Sequence, residues 1–229
     1  MPIITNIPRI EVPVMCMENE DDMYEQEYTD NFIKMIKSCK CFIDVGANFG
    51  YYSLLASQYM SKDSKIYAFE PVPIKFKSLK ENSKSASEKF GIEIECFNKA
   101  VSNEDKENIT LYLPDNDKDC SGGLIKNRNH NEKTILVDTI TLDNVFKDMD
   151  IDLIKIDVEG AELQVLEGAS NIIKTKRPIL MIEVHKFENK AGKPMLDVYK
   201  FFKHLYDNNY DTIQYTNQWY LFVPKEETK

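Results

Sequence analysis

Three carboxylates stand within six residues in Asp157-Val-Glu159-Gly-Ala-Glu162, and a second polar run, Glu183-Val-His185, lies a short distance downstream. Each ends an apolar stretch, Asp152–Val158 and Pro178–Val184, so both fall at the carboxyl ends of strands, where open α/β sheets keep their ligands. An imidazole with the ordinary pKa of about 6.5 is mostly neutral at pH 7 and can take a proton from an alcohol. His185 is therefore the natural general base, with Asp157 and Glu159 as its catalytic companions. A rim histidine bonded only for structure is the competing reading. The acids also offer hard oxygen ligands for a divalent cation. Alternatively, Asp157 holds a cofactor or caps the next helix, and Glu159 and Glu162 favour that helix's N-terminus electrostatically. Dispersed acids without a fourth ligand do not define a metal centre, so no residue is assigned to a metal. Lys155 interrupts an otherwise apolar strand, which calls for a paired or functional ammonium. The remaining histidines read differently, His130 as a loop residue and His204 as part of the last helix.

A second constellation is the turn Asp44-Val-Gly46-Ala-Asn48-Phe-Gly50, which follows the apolar run from Cys41. Glycine lets a backbone turn tightly and approach a ligand closely. A dinucleotide fingerprint needs glycines where this chain has Asn48 and Tyr51, so a pyrophosphate lacks its usual seat. A ligand without phosphates fits better. Asp44 points the same way, because a carboxylate repels phosphate but suits an amino group or a sulfonium. Glu70 closes the next strand, 20 residues after Gly50, where an acid can bind both hydroxyls of a ribose. The turn thus reads as a nucleoside site, against a merely structural turn and against an NAD or nucleotide-sugar enzyme, which Asn48 and Tyr51 oppose.

The elements that must position these groups alternate along the chain. Strands are expected at Cys41–Val45, Lys65–Phe69, Ile92–Val101, Asp152–Val158 and Pro178–Val184. Between them lie helices over Pro71–Lys89, Asp143–Lys147 and Ala161–Lys174, with another over 194–208. Thr29 or Asp30 would cap a first helix running to Lys37. Asp211–Thr216 and Trp219–Val223, separated by Asn217-Gln218, form a hairpin. The expected fold is α/β, a doubly wound sheet, mostly parallel, ending in an antiparallel C-terminal hairpin strand. Residues 1–40 read as an arm or lid with a helix, and 41–229 as the main domain with a β-rich insertion at about 102–141. Within the insertion, Asp119-Cys-Ser-Gly-Gly123 has the glycines of a loop able to close over a site, or of a mobile surface loop.

At 229 residues the chain fits one large domain, and its formal charge of −9 argues against a general nucleic-acid partner. The five cysteines include no Cys-x-x-Cys pair, so neither disulfides nor a zinc knuckle is expected. The N-terminus lacks a basic start followed by an apolar run, and no stretch approaches the roughly 18 apolar residues of a membrane span. A soluble, cytoplasmic protein is expected, and its oligomeric state is not legible.

Taken together, the stretches Phe42–Ser53, Ala68-Phe-Glu-Pro71, Lys99–Ser102, Thr139–Asp143, Leu153–Leu163, Val165–Gly168 and Arg177–Glu183 resemble the FkbM-type methyltransferases. They cover about residues 40–185, in order and at similar spacing, and Lys-Ile-Asp-Val-Glu-Gly-Ala-Glu makes the combination specific. The resemblance implies a class I methyltransferase fold of Rossmann-like form, with S-adenosylmethionine as methyl donor. It also implies O-methylation of a hydroxyl on a sugar, a glycan or a small-molecule metabolite. By position, Asp44, Gly46 and Gly50, with Asn48 in the same turn, would line the methionine end, and Glu70 the ribose. Asn98, Lys99 and Ala100 would meet the adenine edge. A sulfonium already carries a good leaving group, so alignment of the acceptor is the main task. A non-catalytic module that only binds the cofactor is the remaining alternative. The flanks, outside the matching stretches, would choose the acceptor.

Overall fold

The computed structural model describes residues 26–114, 122–124, 133–185 and 197–226. The arm before Gln26, Cys16, Cys120, His130, Leu196 and residues 119–121 of the glycine loop lie outside the described residues.

Alternate side chains on each strand enter two apolar layers, one on either face of a seven-stranded sheet. On β1 (Cys41–Val45), Cys41, Ile43 and Val45 join one layer while Phe42 joins the other. The same alternation divides β2 (Lys65–Phe69), where Tyr67 and Phe69 oppose Ile66 and Ala68. It also divides β7 (Leu153–Ile156) and β8 (Ile179–Glu183). Strands buried on both faces need helices on both, which is the doubly wound solution. The strand order is β3-β2-β1-β7-β8-β10-β9, with β3 at Ile94–Phe97, β9 at Tyr210–Gln214 and β10 at Trp219–Pro224. β3 through β8 run parallel, whereas β10 pairs antiparallel with both β8 and β9. The expected sheet, including its antiparallel end, is the one found.

Several boundaries differ from those read in the sequence. Helix α1 (Gln26–Ile36) starts before Thr29, which therefore caps nothing; its hydroxyl is buried and shares a hydrogen bond of 3.1 Å with that of Tyr51. The third strand is split: after Phe97 the chain leaves the main sheet, and β4 (Ala100–Val101) pairs with β6 (Thr134–Ile140). β5 (Lys106–Tyr112) completes this three-stranded sheet within the region read as an insertion. The helix expected from Ala161 breaks into α5 (Glu162–Glu167) and α6 (Ser170–Thr175). At the break a Cβ on Gly168 would lie 2.0 Å from the Ser102 carbonyl oxygen, and the Asp143 carboxylate accepts the amide N–H groups of Asn171 and Ile172 at 2.8 and 2.9 Å. A distant side chain thus satisfies the new helix start.

The other helices are α2 (Tyr51–Tyr59), α3 (Pro73–Phe90), α4 (Leu142–Val145) and α7 (Val198–Asp207). Pro73 rather than Pro71 opens α3, because the Glu70 carboxylate holds the Val72 amide at 2.8 Å and keeps that residue outside the helix.

Candidate functional site

Where β1 ends, the chain turns through Gly46 at φ +77° before α2 begins at the cap Gly50. A Cβ at residue 46 would sit 1.8 Å from the Asp157 carbonyl oxygen, so this crossing admits only glycine. The amides of Gly46 and Ala47 both donate to the Phe69 carbonyl at 3.0 and 2.9 Å, that of Asn48 to Glu70 Oε2 at 2.9 Å, and that of Gly50 to the Ala47 carbonyl at 2.8 Å. These are the groups a phosphate-binding turn would offer its ligand. Here they are engaged within the protein, and Asn48 itself holds a left-handed φ of +54°.

Carboxylates surround the turn instead. Asp44 is buried beneath it, with Oδ2 accepting from the Ser53 hydroxyl at 2.7 Å. Among the described residues its Oδ1 accepts no hydrogen bond, and the Lys155 ammonium lies 3.6 Å from it. Burial raises the Asp44 carboxyl above its ordinary range, against the opposing pull of Lys155. Glu70, also buried, receives one backbone N–H on each oxygen, from Asn48 and from Val72. Each oxygen keeps a second lone-pair position for a further donor.

A cleft opens over these groups. Gly46, Asn48, Glu70, Lys99, Ala100, Asp157 and Glu159 line it; Asp44, Gly50, Asn98 and His185 are not among its lining residues. The Asn98 amide group donates to the carbonyls of Glu70 and Pro71 at 2.9 and 3.0 Å. It fixes the end of β2 and the exit of the chain toward β4. Sequence reading does not reach Lys75, Leu111 and Leu124, which also line the cleft. Leu111 carried a signal, the apolar alternation of β5, but nothing in that pattern tells which sheet it joins. Lys75 and Leu124 carried none.

At the ends of β7 and β8 the carboxylates converge on one imidazole. His185 Nδ1 lies 2.7 Å from Glu162 Oε1, and Nε2 lies 3.6 Å from Glu159, 3.6 Å from Glu183 and 4.0 Å from Asp157. Burial alone would lower the His185 pKa, but the hydrogen bond and charge of Glu162, with Glu159 and Asp157, carry it up to about 10. The mostly neutral imidazole expected from sequence is therefore corrected to an imidazolium, which has no lone pair to accept a proton. Glu159 is changed in the complementary way. Burial raises it to about 7, with Asp157 and Glu162 adding to the rise and His185 opposing it. Its φ of +56° turns the residue into the cleft wall. Asp157, Glu183 and His185 each present one ligand atom within 4.8 Å of the others, the spacing a divalent cation would need. Such a cation would have to displace the imidazolium proton.

The chain matches the Methyltransferase FkbM domain over residues 44–211. No curated protein matches it. In three dimensions it is similar to a methyltransferase FkbM from Methylobacillus flagellatus KT, with a TM-score of 0.55 and 19% identity over 80% of this chain. It spans only 43% of that protein's length. It is also similar to an O-methyltransferase from Bacillus cereus in complex with SAH (TM-score 0.55, 12% identity, 90% of this chain and 84% of that one). A third is a precorrin-6y C5,15-methyltransferase from Geobacter metallireducens GS-15 (TM-score 0.51, 12% identity, 90% of this chain and 93% of that one). At such identities these likenesses establish the fold, that of class I methyltransferases.

Proposed function

The chain belongs to the FkbM methyltransferase family, and from that premise we propose that it is an S-adenosylmethionine-dependent methyltransferase acting on a hydroxyl oxygen of a sugar, glycan or other small molecule. One observation carries the reading. The glycine turn engages its amides internally, while Asp44, Glu70, Asp157 and Glu159 gather around a single cleft. Such a site disfavours phosphate and favours a cationic nucleoside.

The residues fit the cofactor that the family implies. Asp44, with one oxygen lacking a hydrogen bond, and Gly46 would hold the methionine end, and the unfilled lone pairs of Glu70 the ribose. Lys99 and Ala100 would wall the adenine. When bound, the cofactor supplies a methyl group on a positively charged sulfur. The protein must then remove the acceptor's proton. We assign that task to Glu159, which lines the cleft with a pKa of about 7. The acceptor's O–H proton passes to a Glu159 carboxylate oxygen. Behind it the His185 imidazolium, fixed by Glu162, favours the anionic form of Glu159 before transfer. That imidazolium also supplies the local counter-charge, so no step is given to a metal. The same reading treats residues 41–229 as the methyltransferase domain and, from the free thiols of Cys39, Cys41 and Cys96, sets it in the cytoplasm.

Calorimetry on the full chain tests the cofactor. S-adenosylhomocysteine should bind and NAD should not; binding of NAD alone would overturn the reading. Labelled methyl transfer from S-adenosylmethionine to a panel of sugars and hydroxylated metabolites then tests the chemistry. Binding without transfer to any acceptor would favour the binding-module alternative.

A further inference from the structure

Lys155 lies on the central strand β7, directly beside Asp44 on β1, and its side chain is buried. Burying an ammonium costs several kcal/mol unless its partners repay it. Its partners here come from different parts of the site. Lys155 Nζ is 3.3 Å from the Gly46 carbonyl oxygen, 3.3 Å from Asp157 Oδ2 and 3.6 Å from Asp44 Oδ1, and it stands over the Tyr52 ring at 5.3 Å. Gly46 belongs to the turn, Asp157 to the polar strand end, and their backbones cross where a Cβ on Gly46 would strike the Asp157 carbonyl. The ammonium sits at that crossing without lining the cleft.

We infer that Lys155 is a positioning residue that locks the cofactor turn to the acceptor rim, by binding the Gly46 carbonyl, Asp44 and Asp157 at once. The inference rests on the cofactor reading above and deepens it. Two elements meeting without a shared side chain could slide independently; a common cation gives them one arrangement.

The test is S-adenosylhomocysteine affinity by calorimetry at neutral pH. Lys155→Met should bind about tenfold more weakly or worse, a coupling typical of groups in direct contact. Lys155→Arg, which keeps a cation and its donors at the crossing, should recover most of the affinity, which a general loss of stability at this position would not allow. Lys155→Met combined with Asp157→Asn keeps the set's net charge and guards against misfolding of the single variant. It should still bind several-fold more weakly than Asp157→Asn alone. Binding by Lys155→Met within about twofold of wild type, together with binding by the double variant within about twofold of Asp157→Asn, would overturn the inference. Absence of binding by the wild type would instead remove the cofactor reading.

Discussion

Glu159 and His185 face each other at 3.6 Å, and each sets the ionisation of the other. The residue types were legible in the sequence, but their charge states were not. His185 shows only its ordinary pKa until the fold brings Glu162, 23 positions earlier, onto its Nδ1. That contact moves the proposed base from the imidazole to the carboxylate, and the pH dependence follows. A base must be anionic, and Glu159 is raised to about 7, so turnover should be low near pH 5.5 and rise through about 7 to a plateau. His185 holds the Glu159 pKa down, so His185→Gln should move this rise to higher pH. Glu159→Gln should lower turnover by about 10²–10⁴ and abolish the rise, with S-adenosylhomocysteine affinity nearly unchanged. Rate profiles on an acceptor drawn from the panel would check this. A rise left in place by both substitutions would assign the proton to another group.

Among the elements, the local signals predict strands and helices well and their ends poorly. The alternation on β1, β2, β7 and β8 is written in consecutive residues, so it could be read directly. The break between α5 and α6 depends on the approach of Gly168 to Ser102 and on Asp143 receiving two distant amides, and neither leaves a local signature. The turn at Gly46 was visible as glycine, but its reason was not: the strand it must clear, β7, begins more than 100 residues later. Gly46→Ala puts a methyl group 1.8 Å from the Asp157 carbonyl, at a φ that side chains disfavour. The turn and the end of β7 cannot both keep their places. The variant should lose about 2 kcal/mol or more of stability in urea denaturation. It should also lose S-adenosylhomocysteine binding by about 100-fold, because cofactor turn and acceptor rim are displaced together. Wild-type binding by this variant would show that the crossing is not part of the site.

At the scale of the molecule, the cleft lies between two sheets, and the small one has a cluster of its own although its Val101 and Ile140 pack into a layer of the main sheet. One wall is the seven-stranded sheet; the other comes from the small sheet, whose Ala100, Leu111 and Val137 pack against Val72 just before α3. The motifs that carry the family resemblance stop at Glu183 and belong mostly to the first sheet, while the family match continues to residue 211. The strands of the small sheet are legible in the sequence but their pairing is not, since β4 continues the apolar run that begins with β3. Pairing is a long-range property, and two residues of β4 carry too little pattern to declare it. The consequence is that the adenine side of the cleft should depend on a core that can loosen alone. Leu111 is buried and lines the cleft, and its truncation to Ala should cost the small sheet about 2–5 kcal/mol. Hydrogen exchange should then show faster exchange at the β5 and β6 amides, with β1, β7 and β8 keeping their protection. S-adenosylhomocysteine affinity should fall several-fold through the loosened wall. Equal loss of protection across both sheets would instead mean that they unfold as one unit. In that case the weakened binding would report global stability rather than the shape of the cleft.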